Sequence, residues 1–552
     1  MKIATKIFCL LLIIAILSSC IVCFMGCDSI KDSLKVLVNG EEQSINLSQK
    51  NDNTWYTDIQ VADNSKVTLY DSKGKKHTTT VSEGGKYTFL LNNVDGKYKI
   101  EARKQKRAVL WVTALLSGGL YDQEDGTQVW DPLPYEDILL KNFLKPEDME
   151  KTISELVVRL LLGTDPSFTL ASFLNPIVWG YQDKTNFLWN MSFDHNGIPN
   201  NPNIVAANGY DGKIQYGVLG AYMDHNNEIN EHFKDDDIEF HVFNYDWRKD
   251  CSLAADTLSQ YIEDNKYTDV ILFSHSMGGN VVASYLAKNE YNRSRVAGYV
   301  SMSGAFLGSF DALYTMEDLE GYFGSAVSGF GIQDIMDGLG DLKNLINFKL
   351  IFSSLQDFIV SLDTFVQLLP TYELITSKQY GDDGDGDAFT IDGVAINSKD
   401  DLYAFYESRP WAWKKDENGE YIMDGEKHVL RDVVKNLRAF HDSCYVTNDK
   451  GERVFSTTLV DTYYVVGNDQ ITLCGADLDT QTNKITFRTT KNGDTQVLHY
   501  SLLANLDENE LQKKGKLITY DGRNHFQVGC DWELIREQVL GNIKDIFNIS
   551  EK

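Results

Sequence analysis

The chain has little positive charge for its size. Lysine and arginine together number 52 against 80 aspartates and glutamates, which gives a formal net charge of −28 over 552 residues. A surface with this excess of negative charge repels nucleic-acid phosphates and anionic lipid headgroups. We therefore expect no DNA or RNA partner. The hydrophobic fraction of 43% is ample for packed cores and argues against global disorder.

Cysteine is scarce beyond the N-terminal segment. Only four of the eight cysteines lie after residue 27, at the widely spaced positions Cys251, Cys444, Cys474 and Cys530. These four cysteines form no CxxC pair and no Cys/His cluster, so the sequence predicts no zinc site. We expect neither a metal nor a cofactor. For the four remaining thiols, one or two disulfides and unpaired buried side chains both stay open.

The first residues have the composition of an export signal. Lys2 and Lys6 precede an apolar run over residues 7–17, which is the arrangement of the n-region and h-region of a signal peptide. The run continues to Gly26, and the chain then becomes polar. We predict that residues 1–27 direct export and that the catalytic part of the protein lies outside the cytoplasm.

Two stretches of this segment resemble a bacterial lipobox, in which a small residue precedes the cysteine that receives the lipid. They end at Cys20 and at Cys27. We favour Cys27, because a mature chain that began at Cys20 would start with an apolar stretch, and we expect a membrane-anchored lipoprotein at the cell surface. Two alternatives stay open: lipidation of Cys20, and an uncleaved helix over residues 7–26, which is about long enough to span a membrane.

Residues 28–104 show the pattern of a small antiparallel β-sandwich. Short runs of alternating polarity recur at residues 35–38, 55–59, 66–70, 86–90 and 98–101, separated by turn pairs such as Asn39-Gly40 and Asp95-Gly96. Regular spacing of this kind is typical of a sandwich. Two interpretations of the module stay open: a spacer above the membrane, and a module that binds glycan or cell wall.

From about residue 105 to the end, the sequence predicts an α/β domain. Apolar runs alternate with helical segments, as in a mostly parallel sheet. The candidate buried strands are residues 108–113, 239–245, 269–273, 298–302, 462–466 and 516–520.

The third of these strands is followed by the sequence of a nucleophile elbow. The strand runs into Ser274-His-Ser276-Met-Gly278 and then into an amphipathic helix. In a strand–turn–helix of this type the central serine is lifted clear of the sheet, and the flanking positions are small because the backbone is crowded. The start of the helix directs amides towards a forming oxyanion. Ser276 is therefore the predicted nucleophile, with the Met277 amide as an oxyanion donor.

A nucleophilic serine needs a base and an acid that orients the base. His525 follows a predicted strand near the C-terminus, where this fold positions its base. Two residues compete for the role of the acid. Asp469 comes after the predicted strand over residues 462–466, and Asp494 comes after a predicted strand over residues 484–490 and opens a helix.

Four stretches of this region resemble the lecithin:cholesterol acyltransferase family. They are YDWR at residues 245–248, SHSMGG at residues 274–279, GDTQV at residues 493–497, and Asn524-His525 near the end. The resemblance extends over residues 107–552 and leaves out the β module. It implies an α/β-hydrolase fold, a lipid or phospholipid acyl ester as substrate, and a triad of Ser276, Asp494 and His525.

The sequence departs from the family pattern at two places. The acid loop has Thr495-Gln496 and lacks a second glycine. The family's Pro-Gly oxyanion turn is also absent from residues 112–120. Comparison with the family makes the Leu115 amide the second oxyanion donor. Loss of one such donor costs about 10²–10³ in rate, so these departures bear on efficiency.

Three other features have structural interpretations. The insertion over residues 309–430 is predicted to form a cap or lid over the site, although its apolar stretches would equally suit ordinary packing. The acidic segment at residues 381–387 does not have glycine and glutamate at the positions that an EF-hand loop requires. We predict that it is a solvated loop. Asp246 and Arg248 are predicted to form a buried salt bridge.

We expect a serine-dependent acyl-ester enzyme, a lipase or phospholipase or an O-acyltransferase, that forms an acyl intermediate on Ser276. No motif distinguishes water from an alcohol as the acceptor. Two alternatives stay open. One is a non-lipid carboxylesterase or serine peptidase, and the other is a catalytically inactive lipoprotein that binds at the cell surface.

Overall fold

The structure is a computed structural model of the chain. It describes residues 35–45, 47–124, 126, 128–130, 191–194, 197–206, 238–323, 356–377, 388–416, 418–530, 534, 536, 541 and 546. The export signal with Cys20 and Cys27, the acidic segment at residues 381–387 and parts of the predicted cap lie outside the described residues. The chain divides into two compact units, one formed by residues up to 107 with segments 265–269 and 289–295, and the other by the remainder.

The first unit is a small antiparallel β-sandwich. Its strands are β1 (Val36–Val38), β2 (Glu41–Glu42), β3 (Ser48–Asn51), β4 (Thr54–Val61), β5 (Lys66–Tyr70), β6 (Lys76–Thr80), β7 (Gly85–Val94) and β8 (Lys97–Lys104). They form two four-stranded sheets, in the orders β2-β1-β5-β6 and β3-β4-β7-β8. All neighbours in both sheets are antiparallel.

The two sheets of this unit share one apolar core. Alternate side chains of β4 and β7, such as Ile59 and Phe89, are buried with Val67 and Leu69 of β5 and Val36 of β1. This confirms the predicted sandwich. The sequence pattern did not predict β2, β3 or β6, because their residues are polar and show no apolar alternation to mark a buried face.

The second unit contains the remaining strands. They are β9 (Arg107–Val112), β10 (Leu120–Asp122), β11 (Gln128–Trp130), β12 (Ile204–Ala206), β13 (Ile238–Phe243), β14 (Asp269–His275), β15 (Val296–Met302), β16 (Phe389–Ile391), β17 (Val394–Ala395), β18 (Met423–Asp424), β19 (Lys427–His428), β20 (Tyr445–Thr447), β21 (Arg453–Phe455), β22 (Thr462–Asn468), β23 (Thr472–Asp479), β24 (Lys484–Thr490) and β25 (Leu517–Asp521). β9 and β14 each begin at a residue of the first unit.

The described helices follow in chain order. They are α1 (Cys251–Asp264), α2 (Gly278–Lys288), α3 (Glu290–Ser294), α4 (Phe310–Glu317), α5 (Leu319–Phe323), α6 (Asp363–Gln367), α7 (Tyr372–Ile375), α8 (Lys399–Glu407), α9 (Asp432–Ser443), α10 (His499–Leu502), α11 (Glu508–Lys513) and α12 (His525–Cys530). Short 3-10 helices occupy Pro410–Ala412 and Ser456–Leu459. Of these, α3 lies in the first unit.

A six-stranded sheet forms the centre of the second unit, in the order β13-β9-β14-β15-β22-β25. The four strands from β14 to β25 are paired in parallel. β14 is buried over almost its whole length, which is typical of a strand covered on both faces. All six predicted strands lie in this sheet. The predicted α/β-hydrolase fold is confirmed.

Between β22 of the core sheet and the loop that carries Asp494, the chain contributes two strands to a separate four-stranded sheet. β23 and β24 form an antiparallel hairpin directly after β22, and β16 and β17 extend it to the order β17-β16-β23-β24. The predicted cap at residues 309–430 contributes β16 and β17 to this sheet. Its role as a cover over the site stays a prediction.

The core of the first unit can be tested at Phe89, which is fully buried. Replacing Phe89 with alanine deletes a ring from a packed core, and we expect the free energy of unfolding to fall by about 3–5 kcal/mol. Hydrogen exchange of peptides covering β4 and β7 measures this loss. The control is Val94→Ala on the same strand, where the side chain is 59% exposed and the effect stays within about 0.5 kcal/mol. Equal effects of the two changes would contradict the core assignment.

Candidate active site

Ser276 lies at the sharp turn between β14 and α2. Its φ is 54°, in the left-handed region that residues other than glycine rarely adopt. The Ser276 amide donates to Met302 O at 3.2 Å, and Ser276 O accepts from the Gly279 amide at 2.9 Å. Ser276 is partly exposed, whereas its neighbours His275 and Met277 are buried. The surrounding backbone thus holds a strained turn that leaves this serine accessible.

Glycine is required at the second and third positions after this serine. A Cβ on Gly278 would lie 2.6 Å from Val112 O and 2.7 Å from Thr113 O, and a Cβ on Gly279 would lie 3.0 Å from the Gly304 Cα. Such distances are too short for a methyl group. The turn therefore packs its backbone directly against the end of β9.

Asp494 is fully buried in the loop between β24 and α10. Its Oδ1 accepts from the amides of Gln496 at 3.2 Å and Val497 at 2.9 Å. Thr495 turns the loop with a φ of 89°, and its amide donates to Thr472 Oγ1 at 3.0 Å. These hydrogen bonds compensate for the loss of water around the carboxylate and fix the direction of its second oxygen.

His525 begins α12 and is held by Asp494 through two hydrogen bonds. The distance from His525 Nδ1 to Asp494 Oδ2 is 2.7 Å, and the His525 amide donates to Asp494 O at 2.6 Å. Because a carboxylate only accepts, Nδ1 carries the proton and Nε2 is an acceptor. Nε2 is buried, and within the described ranges no hydrogen bond reaches it, from Ser276 or any other residue.

His275 connects the serine turn to the base. Its Nε2 donates to His525 O at 3.0 Å, and the two ring centroids are 4.9 Å apart. A Cβ on Gly529 would lie 2.5 Å from the His275 ring, so α12 packs against the ring only because residue 529 is glycine. Burial and, to a lesser degree, the His525 imidazole lower the pKa of His275 to about 3. The ring is therefore neutral at neutral pH and keeps its donor proton.

Asp469, the competing acid, occupies a different environment. It lies in the turn after β22 with a φ of 58° and is exposed. Its carboxylate takes part in no side-chain hydrogen bond identified among the described residues, whereas Asp494 contacts the imidazole. Of the two candidate acids, the structure brings only Asp494 together with His525.

The two predicted oxyanion amides, those of Met277 and Leu115, lie on adjoining segments. Met277 precedes Gly278, which contacts the end of β9, and Leu115 lies in the loop that follows β9. This loop turns at Ala114 to Ser117, where the Ser117 amide donates to Ala114 O at 3.3 Å. Neither predicted donor amide is used in the turn and loop hydrogen bonds of the described residues.

Sequence reasoning missed a second buried carboxyl beside the acid loop. Asp311 lies in the first turn of α4, whose N-cap residue Ser309 donates its hydroxyl to Gln496 O of the acid loop. Both carboxyl oxygens of Asp311 are buried, and the Tyr322 hydroxyl interacts with this carboxyl. Burial, and then the negative charge of Asp494, raise the pKa of Asp311 well above its usual value. No motif marks this residue, and nothing in the sequence indicates its burial.

The described residues contain neither a metal-binding cluster nor a membrane-spanning helix. No group of three or more histidine, cysteine, aspartate or glutamate side chains there is arranged to hold a metal ion. Among the helices that the structure describes, none combines the length and the apolar character needed to cross a membrane.

The strand order of the core sheet, the strained serine turn and the buried carboxylate–imidazole pair define an α/β hydrolase. Residues 234–322, which include the YDWR stretch and the serine turn, match the family model of lecithin:cholesterol acyltransferase. This match supports the resemblance that the sequence motifs indicated.

The other comparisons provide no further evidence for the fold or the function. One similar solved chain is described as "The crystal structure of Tle4-Tli4 complex". It is 14% identical with a TM-score of 0.44, over 81% of this chain and 100% of that one. A search of curated proteins found no match. The fold assignment therefore rests on the strand order and the serine turn.

The buried Asp311 predicts a pH dependence of stability. A carboxyl whose pKa is raised on folding contributes stability below its unfolded pKa of 3.8, and this contribution is lost as the pH rises through the folded pKa. Asp311→Asn cannot ionise, so its free energy of unfolding should fall less than that of the wild type between about pH 4 and pH 8. Denaturant unfolding over this range measures the difference. The exposed control Asp449→Asn should follow the wild type, and identical curves for all three proteins would show that Asp311 does not titrate as described.

Proposed function

We propose that this protein is a serine-dependent enzyme that acts on lipid acyl esters through an acyl intermediate on Ser276. His525 is the general base and acid, Asp494 orients it, and the amides of Met277 and Leu115 stabilise the oxyanion. The proposal depends most on one observation. The Nδ1 atom of His525 bonds to a buried carboxylate, and its buried Nε2 has no hydrogen-bond partner among the described residues, so it is placed to accept a proton.

The reaction would proceed in two halves. His525 Nε2 takes the hydroxyl proton as Ser276 Oγ attacks the ester carbonyl, and the resulting imidazolium is stabilised by Asp494. The tetrahedral intermediate collapses with transfer of that proton to the leaving alcohol, which departs and leaves an acyl-serine. Water or a second alcohol then attacks the acyl-serine, with His525 again taking and returning a proton.

The absence of a hydrogen bond between the serine and the imidazole is compatible with this mechanism. Hydrogen bonds between catalytic groups are often long without substrate and tighten in the substrate complex. His275 limits how far the base can move, because it bonds the backbone of His525 and directly precedes Ser276 in the chain.

The substrate class is proposed from the family match. Residues 234–322 match a family whose printed description is lecithin:cholesterol acyltransferase, and a lipid acyl ester is the corresponding substrate class. We further propose that the protein is exported, anchored through a lipid on Cys27, and active outside the cytoplasm. An anchor of this kind would hold the enzyme at a membrane surface, where lipid esters are concentrated.

The nucleophile and base can be tested with a fluorophosphonate probe, which phosphonylates activated serines. We expect stoichiometric labelling of the wild type, mapped to Ser276 by peptide mass spectrometry. Ser276→Ala and His525→Ala should each lower ester turnover by about 10⁴–10⁶. Ser276→Ala should retain the wild-type melting temperature, whereas His525→Ala should lower it, because Asp494 then stays buried without its imidazole partner. A wild-type protein that folds but is not labelled would support an inactive surface-binding lipoprotein.

The acid can be tested by a matched pair of substitutions. Asp494→Asn removes the charge beside His525 and disturbs its tautomer, so kcat should fall by about 10⁴. Asp469→Asn changes an exposed carboxylate and should leave kcat within about twofold. Hydrolysis of a soluble ester measures both, and the reverse order of effects would assign the acid to Asp469.

The acyl donor can be identified without choosing a substrate in advance. The enzyme is exposed briefly to a mixed lipid extract, and the Ser276 peptide is analysed by mass spectrometry. An added fatty-acyl mass, absent from Ser276→Ala, is the expected result. Cleavage of short soluble esters or peptides without acylation by lipids would instead indicate a carboxylesterase or peptidase. Adding a long-chain alcohol then distinguishes hydrolysis from transfer by the product formed.

A further inference from the structure

We infer that Asn244, Tyr245 and Trp247 are positioning residues that hold the loop carrying the Leu115 amide against the serine turn. This inference rests on the proposed function, because it assigns the role of the loop to oxyanion binding. It also assigns the YDWR stretch a role in the reaction that is separate from its Asp246–Arg248 salt bridge.

The salt bridge is present as the sequence predicted, and it has its own structural role. Arg248 is fully buried and bonds Asp246 at 2.8 Å. The guanidinium also donates to Met191 O and Ile204 O, each at 3.2 Å. None of these contacts is to a residue of the loop after β9. The remaining residues of the motif face that loop instead.

Three buried side chains donate to carbonyl groups at the two ends of this loop. The Tyr245 hydroxyl donates to Thr113 O at 2.7 Å, before the turn. After the turn, Asn244 Nδ2 donates to Gly119 O at 2.9 Å, and Trp247 Nε1 donates to Gly118 O at 3.0 Å. All three side chains are at most 1% exposed, so water cannot replace them as partners. They fix both ends of the segment that contains Leu115.

We call the three donors Asn244, Tyr245 and Trp247 the bracket. Close packing leaves the loop that they hold little freedom to move. A Cβ on Gly118 would collide with the Asn244 side-chain oxygen, so the loop approaches the motif at the distance of backbone contact. At its first end, Thr113 O also meets Gly278 of the serine turn, where an added Cβ would lie 2.7 Å away. Tyr245 therefore bonds the same carbonyl that lies against the serine turn.

The backbone between the two ends is strained. Leu116 has a φ of 63°, although the left-handed region disfavours leucine, and such a conformation persists only when the surroundings impose it. The bracket supplies that constraint. If it is loosened, the loop is expected to relax and move the Leu115 amide away from the developing negative charge, where donors must be placed within a few tenths of an ångström to be effective.

Tyr245→Phe is the most conservative test, because it removes one hydroxyl and keeps the buried ring. We expect kcat towards a soluble ester to fall about 10- to 100-fold with little change in KM, since the oxyanion donor acts on the transition state. The rate of phosphonylation of Ser276 should fall by a similar factor. Trp247→Phe, which removes the bond to Gly118 O, should act in the same direction.

The matched control is Tyr87→Phe in the first unit. Tyr87 is also buried and donates its hydroxyl to a backbone carbonyl, that of Glu83, at 3.1 Å. This variant should keep the wild-type kcat, even if its melting temperature falls as much as that of Tyr245→Phe. A merely structural role for Tyr245 would give the two variants equal kcat values, and that result would overturn the inference.

The outcomes also separate this inference from the proposed function. If the wild type is neither labelled by the probe nor active, the proposed function fails before the bracket is tested. If the wild type is labelled but Tyr245→Phe and Trp247→Phe both react at the wild-type rate, only the bracket is wrong. A fall in kcat that appears together with an equal rise in KM would assign Tyr245 to substrate binding and would also overturn the inference.

Discussion

The site depends on the burial of one negative charge. Asp494 has no exposed surface, and a carboxylate in such a position is stable only when hydrogen bonds and an opposing partner replace its water. Two loop amides donate to one carboxyl oxygen of Asp494, and the His525 imidazole donates to the other. The same requirement that stabilises the charge also orients the base. A group placed for electrostatic reasons thereby fixes the tautomer that the proposed mechanism requires.

Hydrogen bonds from buried side chains to backbone carbonyl groups position the segments that carry the proposed reactive atoms. His275 bonds the backbone of the base, and Tyr245 bonds the backbone before the Leu115 turn. Glycines at residues 278 and 529 allow the segments to meet at contact distance. Such an arrangement is rigid because each buried donor would lose a hydrogen-bond partner if a segment moved. It explains how a strained serine and a strained leucine can lie in neighbouring turns.

The sequence was sufficient for the core sheet and for the pairing of Asp494 with His525. Apolar strands such as β14 are visible because both faces are buried, and the serine turn has a local motif with a mechanical cause. Spacing alone could not choose between Asp469 and Asp494, because nothing in the sequence shows that a hairpin separates β22 from the acid loop. The family motif made that choice. Asp311 and His275 could not be assigned, since their roles arise from contacts between segments far apart in the chain.

The hairpin of β23 and β24 has a consequence for how this site can change over time. It begins and ends at the same place, because the Gln470 amide donates to Gly493 O at 3.0 Å and Thr472 supports Thr495. A segment closed at its base can lengthen or shorten without moving what it is attached to, and loop length itself costs little free energy. Insertions and deletions should therefore be tolerated at the exposed tip of this hairpin, residues 480–483, while the carboxylate stays in place, so related chains are expected to differ in length at this tip.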